Sequence, residues 1–485
     1  MSAVSARSTR EAEGLDKVRA LQWVLYRSAK SDPARRFHAL YGHLARSEVL
    51  WRAWGDVRAN QGAAGVDGVR IADVEASGVI EFLDEITAAL TGQTYRPARL
   101  RRVMIPKPGK PGQFRPLGIP TVRDRVVMAA AKLVLEPIFE ADFSPVSYGF
   151  RPKRSASMAC EVIRVEANRG REWVLDADVR DCFGSIDHDA LMAQVSRRVS
   201  DRAMRKLLAS WLRVGVLVDG VTTESGSGTP QGSPISPLMA NIALNVLDQE
   251  WARRGHHLGV LVRYADDTVV LCGTADRAEQ ARLLMAEILA TLGLQLHPDK
   301  TGIVHLAGGR AGFDFLGWHH CKVASVRRRG RFYLHRWPSS RAMNSIRERI
   351  RQLTSVAHVG QPVDEVARAL SRTLRGWGGY FRTGNSARQF RAIDSYAHER
   401  MAIFTSAKHK RSGRNWGTRY NYAWYRRLGV HRLSGTIMAQ DACLTVNDVG
   451  KPCAGEPHAR IDGRGLETGQ PTPPRQSPTL PNYAK

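Results

Sequence analysis

Two adjacent carboxylates, Asp266 and Asp267, stand between two runs that read as β-strands. Gly259-Val-Leu-Val-Arg263 and Thr268-Val-Val-Leu-Cys272 are rich in β-branched and apolar residues. Tyr264-Ala-Asp-Asp267 then falls at a hairpin tip, where like charges this close repel. An isolated Asp-Asp of this kind is most often a solvated turn. A divalent cation removes the repulsion, and hard oxygen ligands suit Mg²⁺ or Mn²⁺.

A second acidic strand end lifts the pair above that ordinary reading. Trp173-Val-Leu-Asp-Ala-Asp178 starts apolar and ends acidic, and alternation puts Asp176 and Asp178 on one face. Asp181 falls beyond the strand, as a helix cap or a solvated residue. Two acidic strand ends that meet in space can hold two cations about 3.5–4 Å apart, which serves in-line phosphoryl displacement. Carboxylates rather than His or Cys fit that task, because the metals must keep sites open for phosphate oxygens and water.

The charge of the chain points to a polyanion. Its net charge is +26 and its pI near 10.4. Between Arg327 and Leu433 there are 24 Lys or Arg against 5 Asp or Glu, so the surplus lies behind the acidic block. That segment keeps helical periodicity. Met343, Ile346, Ile350 and Leu353 form one apolar stripe, and Val366, Leu370 and Leu374 a second, opened by Asp364 as a cap. Phe390, Ile393, Ala397, Met401 and Phe404 form a third. The stripes are core; contact to the polyanion would come from the arginines and from Trp416, Tyr420, Tyr422, Trp424 and Tyr425, aromatics that either stack on unpaired bases or pack on the bundle.

The order Asp178, then Pro230-Gln-Gly-Ser-Pro-Ile-Ser-Pro237, then Tyr264-Ala-Asp-Asp267 resembles the palm of reverse transcriptases. More specifically, it is similar to the reverse transcriptase/maturase proteins encoded by group II introns. Upstream blocks agree: Asn60-Gln-Gly-Ala-Ala-Gly-Val-Asp-Gly68, Ile105-Pro-Lys-Pro108, Phe114-Arg-Pro-Leu-Gly-Ile-Pro120, Asp124-Arg125 and Ser147-Tyr-Gly-Phe-Arg-Pro152. Downstream, Leu292-Gly-Leu294, Lys300-Thr301, Phe315-Leu-Gly-Trp318 and Arg375-Gly-Trp377 with Tyr380 and Phe381 continue the family's order. The likeness runs from about 61 to about 435.

The resemblance implies an α+β right-hand polymerase: helical fingers, an antiparallel-sheet palm, and an α-helical thumb and maturase region. Residues 1–60 would be a helical extension, 61–155 fingers, 156–320 palm and 321–435 the basic thumb and maturase (domain X) region. Residues 436–485 would be a flexible Pro-rich tail. The first dozen residues are expected to be disordered, with Leu21, Val24, Leu25, Leu40 and Leu44 at helical spacing after them.

Carried over residue by residue, Asp178, Asp266 and Asp267 would be the catalytic carboxylates. They would hold two Mg²⁺ (or Mn²⁺) with the carbonyl of Val179. Lys107 and Arg115 match residues that hold the incoming deoxynucleoside triphosphate, a point charge and a forked guanidinium suited to a polyanion. Phe183 matches the ring that excludes a 2′-hydroxyl, and Gln231 the residue along the nucleotide. Lys300 matches a position proposed to protonate the leaving pyrophosphate, and a turn lysine reads the same way. Arg347, Arg351, Arg375, Lys408, Lys410, Arg411 and Arg414 would contact RNA.

Partners implied are structured intron RNA, an RNA template, a DNA primer and deoxynucleoside triphosphates. The function implied is RNA-directed DNA polymerisation with assistance to splicing and retrohoming. Alternatives from other classes are an RNA-binding splicing chaperone with a vestigial polymerase, or a reverse transcriptase recruited to phage defence or diversification. The six cysteines are scattered without a Cys-x-x-Cys pair, which argues against disulfides and a structural zinc module and for a reducing cytosol; the resemblance implies a cytoplasmic, bacterial protein, nucleoid-associated as a ribonucleoprotein. Only Cys443, Cys453 and His458 remain where many relatives carry an endonuclease, so that domain is expected to be absent. No apolar run is long enough for a signal peptide or a membrane span.

Overall fold

The computed structural model describes residues 2–106, 112, 114–214, 216–218, 221–223, 228, 232–411, 415 and 417–438, and side chains from Asp16 onward except at 216–218 and 221–223. Lys107, Gln231, Arg414, Trp416 and the tail from 439 onward therefore lie outside the described residues.

Eleven strands are described: β1 (Leu100–Pro106), β2 (Phe114–Ile119), β3 (Trp173–Asp178), β4 (Val216–Val218), β5 (Val221–Thr223), β6 (Gly259–Tyr264), β7 (Asp267–Cys272), β8 (Gly302–His305), β9 (Gly312–Phe315), β10 (Trp318–Ala324) and β11 (Phe332–Pro338). They form three sheets, ordered β2-β1-β4-β5, β6-β7-β3-β8 and β11-β10-β9. The second sheet is wholly antiparallel. It forms because two apolar strands run into a two-residue turn that leaves β7 beside β3.

Alternation gives this central sheet two different faces. Leu175, Ala177, Leu261, Val270 and Cys272 pack into one core with the helices Ser47–Asn60, Val122–Glu140 and Ala275–Ala290. Val174, Val262, Val269 and Leu271 face a second core with helix Ala156–Asn168, Phe313, Trp318 and the C-terminal helices. Asp176, Asp178, Asp267 and Tyr264 share the parity of this second face. The acidic end of the sheet is thus the place where its two apolar strands run out of core to cover them.

The basic segment folds into three helices, Ser340–Leu353, Val363–Phe381 and Ala387–Lys408. All three apolar stripes are buried, with Leu353 half-buried at the end of the first. Asp364 is not the cap: Pro362 holds that position, and Asp364 lies in the first turn, where a carboxylate still complements the helix dipole. Of the aromatics, Tyr420 and Tyr425 are core, Trp424 is half-buried and Tyr422 is 40 % exposed. At the other end of the chain the expectation of disorder fails, since a helix runs over Ser2–Ser31. Val24 is exposed there while Leu25 is buried. Among the described residues no helix is long and apolar enough to cross a membrane.

Two features cut across the contiguous blocks read from the sequence. The fingers sheet β2-β1 is extended by β4 and β5, from within the palm segment. The sheet β11-β10-β9 bridges residue 320, and the helical region starts only at Ser340.

Candidate active site

Asp178 lies directly opposite Asp267 in the β3–β7 register, a pairing that brings side chains on one face to about 5 Å. Asp266 occupies the turn between β6 and β7, preceded by Ala265 at φ 57°. Three carboxylates from two distant stretches of chain therefore meet at one sheet end. Val179 is buried and bridges to Leu296 just beyond Asp178. Asp181 stands at the N-cap position of the short helix Cys182–Ser185, exposed and without a capping hydrogen bond.

The electrostatics are those of a crowded acidic site. Burial, then Asp267, Asp178 and Asp314, push the Asp176 carboxyl up to about 7. Asp267 still reaches solvent, yet the protein around it, then Asp266 and Asp178, push it up to about 6 against Lys300 and Arg341. Asp266 is raised by burial and by Asp178. Lys300 donates from Nζ to Asp178 Oδ2 at 2.5 Å, which sets a lysine of the loop after His297, far along the chain, against the site.

Among the described residues no group of three or more carboxylate, imidazole or thiolate side chains forms a ready-made metal cage. The donor set nevertheless suits a hard divalent cation. It is all oxygen, Asp178 raises the pKa of both Asp266 and Asp267, and a cation would relieve that repulsion.

A buried network fixes the turn. The Arg263 guanidinium donates to Asp248 Oδ1 at 2.7 Å and Oδ2 at 2.5 Å, to Asn241 Oδ1 at 3.2 Å and to the Ala265 carbonyl at 2.9 Å. Neither side chain of the Arg263–Asp248 pair is exposed. Asn241 in turn donates to the Gly149 carbonyl at 2.8 Å, and Tyr148 N donates to Arg263 O at 2.8 Å. The block Ser147–Pro152 is thus packed against the acidic hairpin. Sequence reasoning missed Arg263 and Asp248 as a pair. The available signal was a charged residue on the apolar parity of a strand, which demands a buried partner.

The nucleotide side of the site is assembled by glycines. Gly228 (φ +88°) packs where a Cβ would meet Phe183 O and Gly184 Cα at 2.7 Å, and its N–H bonds Ile186 O at 2.9 Å. Gly232 (φ +107°) passes β2, where a Cβ would meet Gly118 O at 2.9 Å. Only glycine combines that backbone with that closeness. Gly228 thus lies against the turn of Phe183, and Gly232 against β2. Phe183 is half-buried, and Arg115 is exposed on β2, opposite Ile105.

Other blocks prove to be struts. Arg125 donates to Ala63 O at 2.7 Å, tying the loop Asn60–Gly68 to the fingers helix. Asp124 accepts from Tyr95 Oη at 2.5 Å and from Ala98 N at 3.1 Å. Tyr380 Oη donates to Leu316 O at 2.8 Å, and Trp318 packs on Phe381 with centroids 4.7 Å apart, so the downstream blocks clasp each other.

Of the residues expected to touch RNA, Arg351, Arg375, Lys410 and Arg411 are exposed and Arg347 is half-buried. Arg351 is paired with Glu348 at 2.5 Å. Lys408 differs from expectation: its ammonium donates to Val359 O at 2.9 Å and Gln361 O at 3.0 Å, closing the loop between two helices.

Comparison with known proteins settles what this arrangement belongs to. Residues 105–320 match the reverse transcriptase (RNA-dependent DNA polymerase) family, and residues 343–422 match the group II intron maturase-specific domain. The chain belongs to the group II intron reverse transcriptase/maturase family. Protein YkfC of Escherichia coli K12 is 35% identical over 328 residues, which span 60% of this chain and 84% of that protein. The group II intron-encoded protein LtrA of Lactococcus lactis subsp. cremoris is 37% identical over 214 residues, 44% of this chain and 35% of LtrA. Nuclear intron maturase 1 of Arabidopsis thaliana is 36% identical over 94 residues, 19% of this chain and 13% of that one. The chain thus spans about a third of LtrA. As a reverse transcriptase with a maturase domain it is an RNA-directed DNA polymerase by family. Dependence on a divalent cation and nucleic-acid partners that include intron RNA follow from that membership.

Proposed function

We propose that this reverse transcriptase/maturase adds deoxynucleotides to a DNA primer on an RNA template, and that the same chain binds a structured intron RNA, assists its splicing and supports retrohoming. One observation carries the polymerase reading: Asp178 stands opposite Asp267, with Asp266 in the adjoining turn.

In this reading Asp178, Asp266 and Asp267, with the Val179 carbonyl, would hold two Mg²⁺ or Mn²⁺ ions. Bound there, such ions would stabilise both the attacking and the leaving oxygen of the phosphoryl transfer. The chain's own residues do the rest. Arg263 and Asp248 keep the turn rigid, so the carboxylates are pre-positioned. Arg115 of β2 and Lys107 would hold the triphosphate, with Gln231 along the nucleotide. The ring of Phe183, whose backbone carbonyl packs against Gly228, would reject a 2′-hydroxyl by exclusion. Lys300, already hydrogen-bonded at Asp178, would supply a proton to a leaving pyrophosphate.

For RNA, Arg347, Arg351, Arg375, Lys410, Arg411 and Arg414 would neutralise phosphates along the helical segment, giving steep salt dependence. Place of action would be the bacterial cytoplasm, as a nucleoid-associated ribonucleoprotein.

The polymerase part is tested by dTTP incorporation on poly(rA)·oligo(dT) with Mg²⁺. Incorporation supports it, and its absence in purified, folded protein favours a splicing chaperone with a vestigial site. The intron part is tested by sequencing the RNA that purifies with the protein. Enrichment of one folded intron supports it, and a random population contradicts it.

A further inference from the structure

Phe150 combines three properties that a structural phenylalanine does not need. It is 52% exposed, its backbone sits at φ +56°, and its ring lies 6.4 Å from that of Tyr264. A scattered exposed aromatic is ordinary, but positive φ is a genuine outlier for a bulky residue and strains the backbone. Such a conformation persists only where its surroundings impose it.

Here they do, from both sides. On one side Gly149 lies so close to Ala265 that a Cβ would collide with its backbone nitrogen, and its carbonyl accepts from buried Asn241. On the other, Arg151 is 7% exposed and donates from Nε and Nη2 to the two Glu140 oxygens at 3.0 and 2.6 Å. Its Nη1 donates to Ser144 O at 2.5 Å and Ser147 O at 2.8 Å. Phe150 is held between two clamps, with about half of its surface left exposed.

Topology says what the ring faces. In the sheet order β6-β7-β3-β8, Tyr264 ends the edge strand β6 and is opposite Asp267. Of the elements proposed to hold the nucleotide, Phe183 follows β3 instead, with Gly228 packed against its backbone. The carboxylates lie between, so the side of Tyr264 and Phe150 is left for the strand being extended. Resting on the polymerase reading, we propose that the Phe150 ring packs against a base or sugar of the primer strand at its 3′ end, completing with Tyr264 an aromatic shelf beside the carboxylates. Its strained backbone is what aims the ring outward.

The test compares wild type with F150A, F150G and F150Y. Three quantities are read: the Kd of a fluorescein-labelled DNA primer on an RNA template, the KM values for duplex and dTTP, and Tm. One stacked base contributes enough for its loss to weaken duplex binding about fivefold or more. F150A and F150G should show that loss with the KM for dTTP nearly unchanged, and F150Y should restore binding. F150G should keep a Tm at or above wild type, because glycine accepts φ +56° freely. Unchanged duplex affinity in F150A and F150G, or a lower Tm in F150G with affinity intact, overturns the shelf and marks Phe150 as merely structural. Wild-type protein that binds the duplex but incorporates nothing contradicts the polymerase reading instead, so the two failures are told apart.

Discussion

The guanidinium of Arg263 and the carboxylate of Asp248 meet through two hydrogen bonds of 2.7 and 2.5 Å with neither side chain exposed. The pair joins the end of β6 to the helix Ser236–Glu250 and also holds the Ala265 carbonyl, one residue before the first hairpin carboxylate. A buried pair of this kind is not a source of net stability, since its desolvation offsets most of its attraction. What it supplies is a fixed turn.

Removing one partner leaves the other charged and buried. Arg263→Ala should therefore lower stability by about 3–5 kcal/mol, read by urea unfolding. Arg263→Met with Asp248→Leu should recover much of that stability without recovering polymerisation, because the Ala265 carbonyl loses its donor. Full activity in the double variant would remove the positioning role.

Raised carboxyl values fix the sign of the pH dependence. Folded Asp267 and Asp176 titrate near 6 and 7, above about 3.9 for an unfolded Asp. Their ionisation therefore costs stability, a cost absent below about pH 4 and complete above about pH 7. The protein in EDTA should lose Tm across that window, and Mg²⁺ should raise Tm most at its upper end. Asp267→Asn should raise the EDTA Tm at pH 8, with much less effect at pH 5. A Tm indifferent to Mg²⁺ at pH 8 would count against the cation site.

Phe183 is half-buried, and its backbone packs against Gly228. Phe183→Ala should raise ribonucleotide incorporation relative to deoxynucleotide, measured as a ratio of kcat/KM values. Unchanged sugar selectivity would remove its assigned role.

Lys408 and Arg375 should behave oppositely. Lys408 caps two loop carbonyls, so Lys408→Ala should cost about 1 kcal/mol of stability and leave RNA affinity nearly unchanged. Exposed Arg375 should show the reverse: Arg375→Ala weakens RNA binding and reduces its salt slope by about one. Equal losses of affinity would mean that Lys408 releases its carbonyls to bind RNA.

Much of this was legible along the chain because it depends on local periodicity. Alternation in Trp173–Asp178 put Asp176 and Asp178 on one face, and the three apolar stripes named the buried residues of the helical segment. The hidden parts depend on partners far away in sequence. Nothing near Arg263 names Asp248 or Asn241, and Lys408 looks like any basic surface residue until its carbonyls are seen. The short strands β4 and β5 likewise extend the fingers sheet through a pairing of β4 with β1, far upstream in the chain. Phe150 sits inside a recognisable block, but its backbone conformation exists only because Gly149 and Arg151 are clamped.

Asp266→Ala gives the most direct test of the central claim, that the acidic hairpin and the end of β3 form one polymerase centre. Poly(rA)-templated dTTP incorporation and RNA affinity should be measured on the same folded sample. The account predicts loss of incorporation with RNA affinity essentially unchanged, since a metal ligand and not a phosphate contact is removed. Incorporation persisting at the wild-type rate would contradict it.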